Sequence, residues 1–344
     1  MKNTIARKFW KPIVEIDPEN HRARLGQALQ YYKMGHKDKA GKIFSELGQS
    51  MDSDSSLVMA VFDEYITGKQ HEDAVIGFSQ MLKANPENST LNFFTGMAYE
   101  ALEDYKNAIP YYLKTKPDHP QYKKAILSIA YLYQKIGENK KAVEFLESKK
   151  NQSSKDIDII TYLASFYENE KAFDKAISLL EKELEHAPEN TALLFKLGAV
   201  YNSAGNREKS MGIMKQVVEL DPDDASALNY LGYTYLEMDI HLDEALRLIK
   251  KAYQIRPNDG YIIDSLGWAY FKKMDYENAV KYLKKAARIT EYETIIADHL
   301  GDAYQKINKI NQAIEAYNNA LSNAKKEDAK LVIDIKKKLK ALQQ

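Results

Sequence analysis

Seven histidines, forty-nine carboxylates and no cysteine are the raw material for chemistry in this 344-residue chain. Catalysis by such groups needs them at set spacings: a paired-histidine helix motif for a metal, a glycine-rich loop that cradles phosphate, or a nucleophile on a sharp turn. None of these motifs occurs in the sequence. The histidines, His21, His36, His71, His119, His186, His241 and His299, are scattered singly, several of them where loops and helix ends are expected. No metal site, cofactor or catalytic residue is therefore expected. The lack of cysteine removes disulfides, thiolate metal sites, thiol nucleophiles and the lipid-bearing cysteine of a bacterial lipoprotein from the chain as written. What remains in quantity is binding chemistry: 24 tyrosines, 11 phenylalanines and 2 tryptophans. Tryptophan and tyrosine on a rigid support are the types that most often anchor a polypeptide partner. An interaction protein, not an enzyme, is the expectation.

The support shows itself as a period. Tyr31, Tyr65, Tyr99, Tyr133, Tyr167, Tyr201, Tyr235, Tyr270 and Tyr304 recur every 34 residues with one step of 35, the spacing of a solenoid. Nine places after each comes a small residue: Ala40, Ala74, Ala108, Ala142, Ala176, Ser210, Ala279 and Ala313, with Ala245 one place late because the seventh repeat carries an extra residue. Apolar residues fall at helical spacing on both sides of a polar break, so each period predicts a helix, a tight turn, a second helix and a short loop. Nine repeats then occupy residues 19–326, starting near His21, Ser55, Ser89, Lys123, Ile157, Thr191, Ala225, Gly260 and Thr294. The eighth place is small in most of them (Gly96, Gly198, Gly232, Gly267 and Gly301 among others), which lets the two helices approach closely; Phe62 is the exception. Between repeats, Pro86, Pro188, Pro222 and Pro257 stop one helix, and the Asp, Asn or Ser that follows can cap the next.

This pattern resembles the tetratricopeptide repeat family, whose motif is matched by Leu197, Gly198, Tyr201, Ser210, Met214, Val217 and Pro222, and again by Leu266, Gly267, Tyr270, Ala279, Leu283 and Ala286. The resemblance covers nearly the whole chain. It implies an all-α fold, a right-handed α-solenoid of about nine helical hairpins with a C-terminal capping helix. It also implies that the first helices line a concave groove through the second, fifth, ninth, twelfth and thirteenth places of each repeat. In the early repeats those places hold Phe93, Met97 and Tyr131 among basic residues such as Lys124 and Lys135. In the seventh to ninth they hold Tyr233, Leu236, Tyr261, Asp264, Trp268, Phe271, Asp298 and Asp302. Trp268 with Tyr233, Tyr261 and Phe271 is the expected hot spot, gripping an extended or helical segment of another protein. The family's clamp for chaperone C-termini needs Lys at the fifth place and Asn at the ninth of one repeat, and no repeat supplies that pair. The asparagine ladder of some sugar-transferase solenoids, at the sixth place, is also missing.

The two ends carry further expectations. Counting the period backwards puts Ala6, Trp10, Ile13 and Pro18 on second-helix places, so residues 1–18 read as a partial repeat without its first helix. Phe9, Trp10, Ile13 and Val14 then lack a partner, and Pro12 would disrupt an internal turn by roughly 3 kcal/mol. Two readings stand: a longer protein cut within a repeat, and an apolar edge through which copies self-associate. At the other end, 327–344 predicts a capping helix, with Leu331, Ile335, Leu339 and Leu342 on one face and Lys336, Lys337, Lys338 and Lys340 around the rest. The stretches 231–252, 264–286 and 299–321 resemble the C-terminal repeats of bacterial envelope repeat proteins. Some of those are outer-membrane lipoproteins that act as adaptors for a periplasmic processing protease, which implies a scaffold in an envelope assembly or proteolysis complex. Lys plus Arg equal Asp plus Glu at 49 each, giving no global electrostatic reason to expect nucleic acid or an anionic membrane. A nucleic-acid-binding helical repeat is the alternative. The first ten residues lack the apolar run of a secretory signal, and no segment approaches the ~18 apolar residues of a membrane span. As written the chain is expected to be soluble and cytoplasmic, or periplasmic if an upstream signal segment is missing.

Overall fold

The computed structural model describes residues 10–51, 55–152 and 156–342, and every regular element among them is helical. Helix α1 covers 10–16. The first helices of the nine repeats are α2 (His21–Lys33), α4 (Ser55–Val61), α6 (Ser89–Ala101), α8 (Tyr122–Lys135), α10 (Ile157–Asn169), α12 (Thr191–Ser203), α14 (Ala225–Glu237), α16 (Gly260–Lys272) and α18 (Thr294–Lys306). Their second helices are α3 (Lys37–Ser50), α5 (His71–Met81), α7 (Tyr105–Tyr112), α9 (Asn139–Gln152), α11 (Phe173–Leu184), α13 (Arg207–Leu220), α15 (Leu242–Ile255), α17 (Tyr276–Ile289) and α19 (Ile310–Asn323). A 3-10 turn, Lys326–Asp328, leads into α20 (Ala329–Leu342). The chain divides into two compact units, Met1–Phe166 and Tyr167–Gln344.

One turn geometry recurs in all nine hairpins. Four residues after each periodic tyrosine the backbone enters the left-handed region, at Gly35, Lys69, Glu103, Gly137, Lys171, Gly205, Asp239, Met274 and Asn308. The next residue's N–H then donates back to the tyrosine carbonyl, as from Gln70 to Tyr65 and from Asp275 to Tyr270, each at 3.0 Å. This is the Schellman arrangement, which satisfies carbonyls that the helix end leaves open. In the seventh repeat the extra residue is absorbed by a second left-handed position, His241, just before α15. The starts of the first helices are fixed by side-chain caps: Asn88 accepts from the Leu91 N–H at 2.7 Å, Asn190 from Leu193 at 3.0 Å, and Asp224 and Asp259 do likewise for α14 and α16.

Within each hairpin the small residues hold the helices together. The alanines nine or ten places after the periodic tyrosine are fully buried. A Cβ on Gly267 would come within 2.6 Å of Leu283, and one on Gly301 within 2.4 Å of the Tyr317 ring. In the second repeat the first helix leaves α geometry and continues as a π-helix over Phe62–Thr67. The core of the first unit is built on Leu25, Phe44, Tyr65, Phe78, Phe93 and Tyr112; the second unit has one cluster around Leu231, Tyr235, Ile249 and Leu266 and another around Leu283, Leu300, Tyr317 and Ile335 of α20.

At the N-terminal end the structure corrects the expectation that Trp10 lacks a partner. Trp10 lies against Gly26 of α2, where a Cβ would meet its indole at 2.5 Å, and the helix runs through Pro12. The carbonyl that Pro12 would clash with belongs to residue 8, which, with Ala6 and Phe9, lies outside the described residues. Ile16 is the apolar side chain left in the open, at 85% exposure.

Candidate functional site

In the second unit α14 packs on α16 and α16 on α18, so the first helices of consecutive repeats are neighbours. That adjacency decides what each place in the repeat can do. The fifth-place residues of α16 and α18 are buried against the element that follows: Asp264 is 6% exposed and Asp298 4%. A buried carboxylate needs a counter-charge or a donor, and both find one inside the chain. The Asp264 carboxylate lies 3.0 and 3.2 Å from His299 Nδ1. Asp298 and Asp302 share Lys338 of α20, whose Nζ donates to both at 2.8 Å, and the Tyr317 hydroxyl donates to Asp302 at 2.6 Å.

These contacts set the acid–base behaviour. Burial works against a charge on His299, but the carboxylates of Asp264, Asp298 and Asp302 outweigh it and hold its pKa above the ordinary 6.5. Burial, with help from Asp302, pushes Asp298 up against the opposing pull of Lys338. For Lys338 burial also opposes the charge, and the two aspartates overcome it, so its ammonium is held more tightly than usual.

Trp268, at the ninth place of α16, is part of the same closed group. Its indole stacks on His299 with ring centroids 4.0 Å apart and planes at 14°, and on Phe271 at 4.6 Å and 6°. Phe271 in turn meets Tyr276 edge-on at 5.4 Å. Pairs of this kind contribute about 0.5–1.5 kcal/mol each beyond the area they bury. The indole N–H is buried with no hydrogen-bond partner among the described residues.

Beside this stack the same face stays open. Tyr261, at the second place of α16, is 62% exposed, and Tyr233, at the ninth place of α14, is half-buried. Together with Asn229, Tyr230, Thr234, Glu237, Asp264, Ser265 and Ile295, and with Asn202 and Arg207 on the far side, they line a cavity of ≈ 330 Å³. Burial and the charges of Glu237 and Asp264 push the Tyr233 hydroxyl well above the usual phenol range. Asn229 Oδ1 is buried there without a hydrogen-bond partner among the described residues.

The eleven groove residues expected from the sequence thus separate. Tyr233, Tyr261 and Asp264 come together at the cavity; Trp268, Phe271, Asp298 and Asp302 are engaged by the chain itself. Leu236 is 0% exposed, in the core between α14 and its neighbours, and presents no surface. In the first unit Phe93 is likewise buried, at 2% exposure, with its ring against Tyr112 at 5.5 Å. Met97 packs half-buried on that core. Tyr131 is half-buried with Lys135 Nζ 5.2 Å from its ring, and Lys124 lies over Phe93 at 5.8 Å. Asn202, Arg207, Tyr230, Thr234, Glu237, Ser265 and Ile295 line the cavity without having been among the expected groove residues, and His299 and Lys338 were not expected as partners of the aspartates. Glu237 occupies the thirteenth place and was within reach of the repeat register. Arg207 opens a second helix, where that register does not look.

Comparison with known proteins gives the same architecture. Profiles described as Tetratricopeptide repeat match residues 64–123, 169–231, 263–292 and 298–327, together more than half of the chain. No curated protein matches by sequence. Among solved structures, the APC/C hetero-tetramer Cut9–Hcn1 is similar over 98% of this chain and 76% of that one, at 13% identity and a TM-score of 0.53. A thermophilic tetratricopeptide repeat protein of Thermus thermophilus is similar over 55% of this chain and 99% of its own, at 19% identity and a TM-score of 0.45. PilF of Pseudomonas aeruginosa is similar over 54% and 88%, at 18% identity and a TM-score of 0.45. Among the described residues no helix is long and apolar enough to cross a membrane.

Proposed function

Because the chain belongs to the tetratricopeptide repeat family, we propose that it is a protein–protein interaction scaffold, and that a segment of another polypeptide docks on the first-helix face of its second unit. The observation that carries this reading is Tyr261, an exposed aromatic side chain beside the half-buried Tyr233 over a ≈ 330 Å³ cavity, on the mutually packed helices α14 and α16. Large aromatic groups ordered before binding lose little freedom when a partner arrives. The docking residues are Tyr233 and Tyr261, with Asp264 behind them. Trp268 and Phe271 stiffen the wall, and catalysis has no part in the mechanism. The likeness of the last three repeats to bacterial envelope adaptors supports a place in an envelope assembly or proteolysis complex. Carboxylates at the cavity and an overall formal charge of zero favour polypeptide over nucleic acid.

Peptides selected from a random display library on the immobilised chain test the reading. Their Kd for the Tyr233→Ala, Tyr261→Ala double variant should rise about tenfold or more, with the far-UV circular dichroism unchanged. Selected peptides that bind the double variant as tightly as the wild type would place the surface elsewhere.

A further inference from the structure

The groups around the tyrosine cavity share one chemical character, which goes beyond the scaffold reading and rests on it. Nearly everything that faces the space accepts hydrogen bonds or attracts positive charge. Glu237 and Asp264 bring carboxylates, and Asn229 Oδ1 is an acceptor with no donor among the described residues. Tyr230, Tyr233 and Tyr261 bring three aromatic rings, whose faces attract cations. Both Asp264 oxygens lie within 3.2 Å of His299 Nδ1, but one ring N–H leaves acceptor positions over, since a carboxylate has about four. Glu237 has no salt-bridge partner among the described residues. The one cation on the lining, Arg207, is exposed at the start of α13 and likewise has no ion pair there.

We propose that this cavity receives an arginine side chain of the docked polypeptide, its guanidinium against the tyrosine rings and its N–H groups on Glu237, Asp264 and Asn229. Guanidinium fits better than ammonium for three reasons: it is planar and stacks on aromatic faces, it carries five donors in a fixed fork that suits several acceptors at once, and it sheds water more readily. The raised pKa of Tyr233, caused by burial and by those same carboxylates, is in keeping with a negative potential at the spot. Arg207 opposes the incoming charge from the rim, which gives the proposal a sign: deleting Glu237 and deleting Arg207 have opposite effects.

Nα-acetyl-arginine methylamide, an arginine capped on both sides as it is within a chain, is the probe. Titrated into methyl-labelled full-length protein, it should shift the Ile295 δ1-methyl resonance saturably, with a Kd on the order of millimolar. The neutral isostere Nα-acetyl-citrulline methylamide should bind about tenfold more weakly, with the lysine analogue in between. Glu237→Gln, on an exposed side chain, should weaken the arginine probe about fivefold, and Arg207→Gln should strengthen it. The proposal is overturned if the probe gives no saturable shift, if citrulline binds equally well, or if Arg207→Gln weakens binding, which would mark an anion pocket. A second arm separates it from the scaffold reading. Display-selected peptides that depend on Tyr261 should lose about tenfold in affinity when their arginine is changed to citrulline. If they depend on Tyr261 but not on any arginine, this inference fails while the scaffold reading stands.

Discussion

Two neighbouring groups of aromatic and acidic residues on α16 meet opposite fates. The tryptophan group is closed: Trp268 stacks on Phe271 and His299, and the aspartates around it are taken by His299 and by Lys338 of α20. The tyrosine group is open: Tyr261 is exposed, Glu237 has no cation, and Asn229 Oδ1 has no donor among the described residues. Asp264 belongs to both: both its oxygens lie against His299 Nδ1, and its side chain also lines the cavity. In composition the two look alike. What separates them is whether the chain already supplies the partner, because an aromatic ring or carboxylate satisfied internally gains little from an outside ligand and would lose what it has.

The comparison breaks most readily at Trp268. Trp268→Ala should destabilise the second unit by about 3 kcal/mol, since it removes two stacked contacts and leaves a void, whereas Tyr261→Ala should stay within about 0.5 kcal/mol. Urea denaturation followed by circular dichroism measures both, and equal losses would erase the distinction. Next in size is Lys338→Met. It strands Asp298 and Asp302 in a partly buried site and should cost about 2 kcal/mol, while Glu237→Gln, on the open side, should cost almost nothing by the same denaturation.

A pH series sharpens the contrast further. The pKa of His299 is raised in the folded state above 6.5, so the folded protein holds that proton more tightly than the unfolded chain. The stability it contributes is fully present below pH 6.5 and is lost as pH rises through the folded value. The groups that face it are Asp264, Asp298, Asp302 and the Trp268 indole. Melting temperatures recorded upward from pH 6.5 should therefore fall in the wild type and flatten in His299→Gln, and Tyr261→Ala should keep the wild-type slope. The smallest effect lies away from both groups. Met274 is 74% exposed and sits at φ 60° in the turn before α17, so Met274→Gly should raise stability by up to about 1 kcal/mol in the same denaturation assay. A loss there would mean that the side chain, not the backbone, holds the turn.

The hairpins were legible because their signal is local and repeated. Periodic tyrosines, buried alanines and close-contact glycines recur at fixed offsets, and each repeat restates the rule. The left-handed turn position was less visible, since Lys69, Glu103, Lys171, Asp239, Met274 and Asn308 occupy it without the glycine that would announce it. Register along the first helices identified the right face but not its depth. The fifth place reads as surface when one repeat is considered alone, and Phe93 and Asp264 are covered there by neighbouring helices. The partners that close the tryptophan group lie 35 residues on, at His299, and 36 to 40 on, at Lys338. Such pairings belong to the stacking of one repeat, or of α20, on the next, and no pattern within a single repeat encodes them.

Amide hydrogen exchange of the chain with and without a display-selected peptide puts the account to its most direct test. The account predicts added protection concentrated in Ala225–Glu237 and Gly260–Lys272, the two first helices that carry Tyr233 and Tyr261. Protection confined to the second helices Leu242–Ile255 and Tyr276–Ile289, with those first helices unchanged, would contradict it.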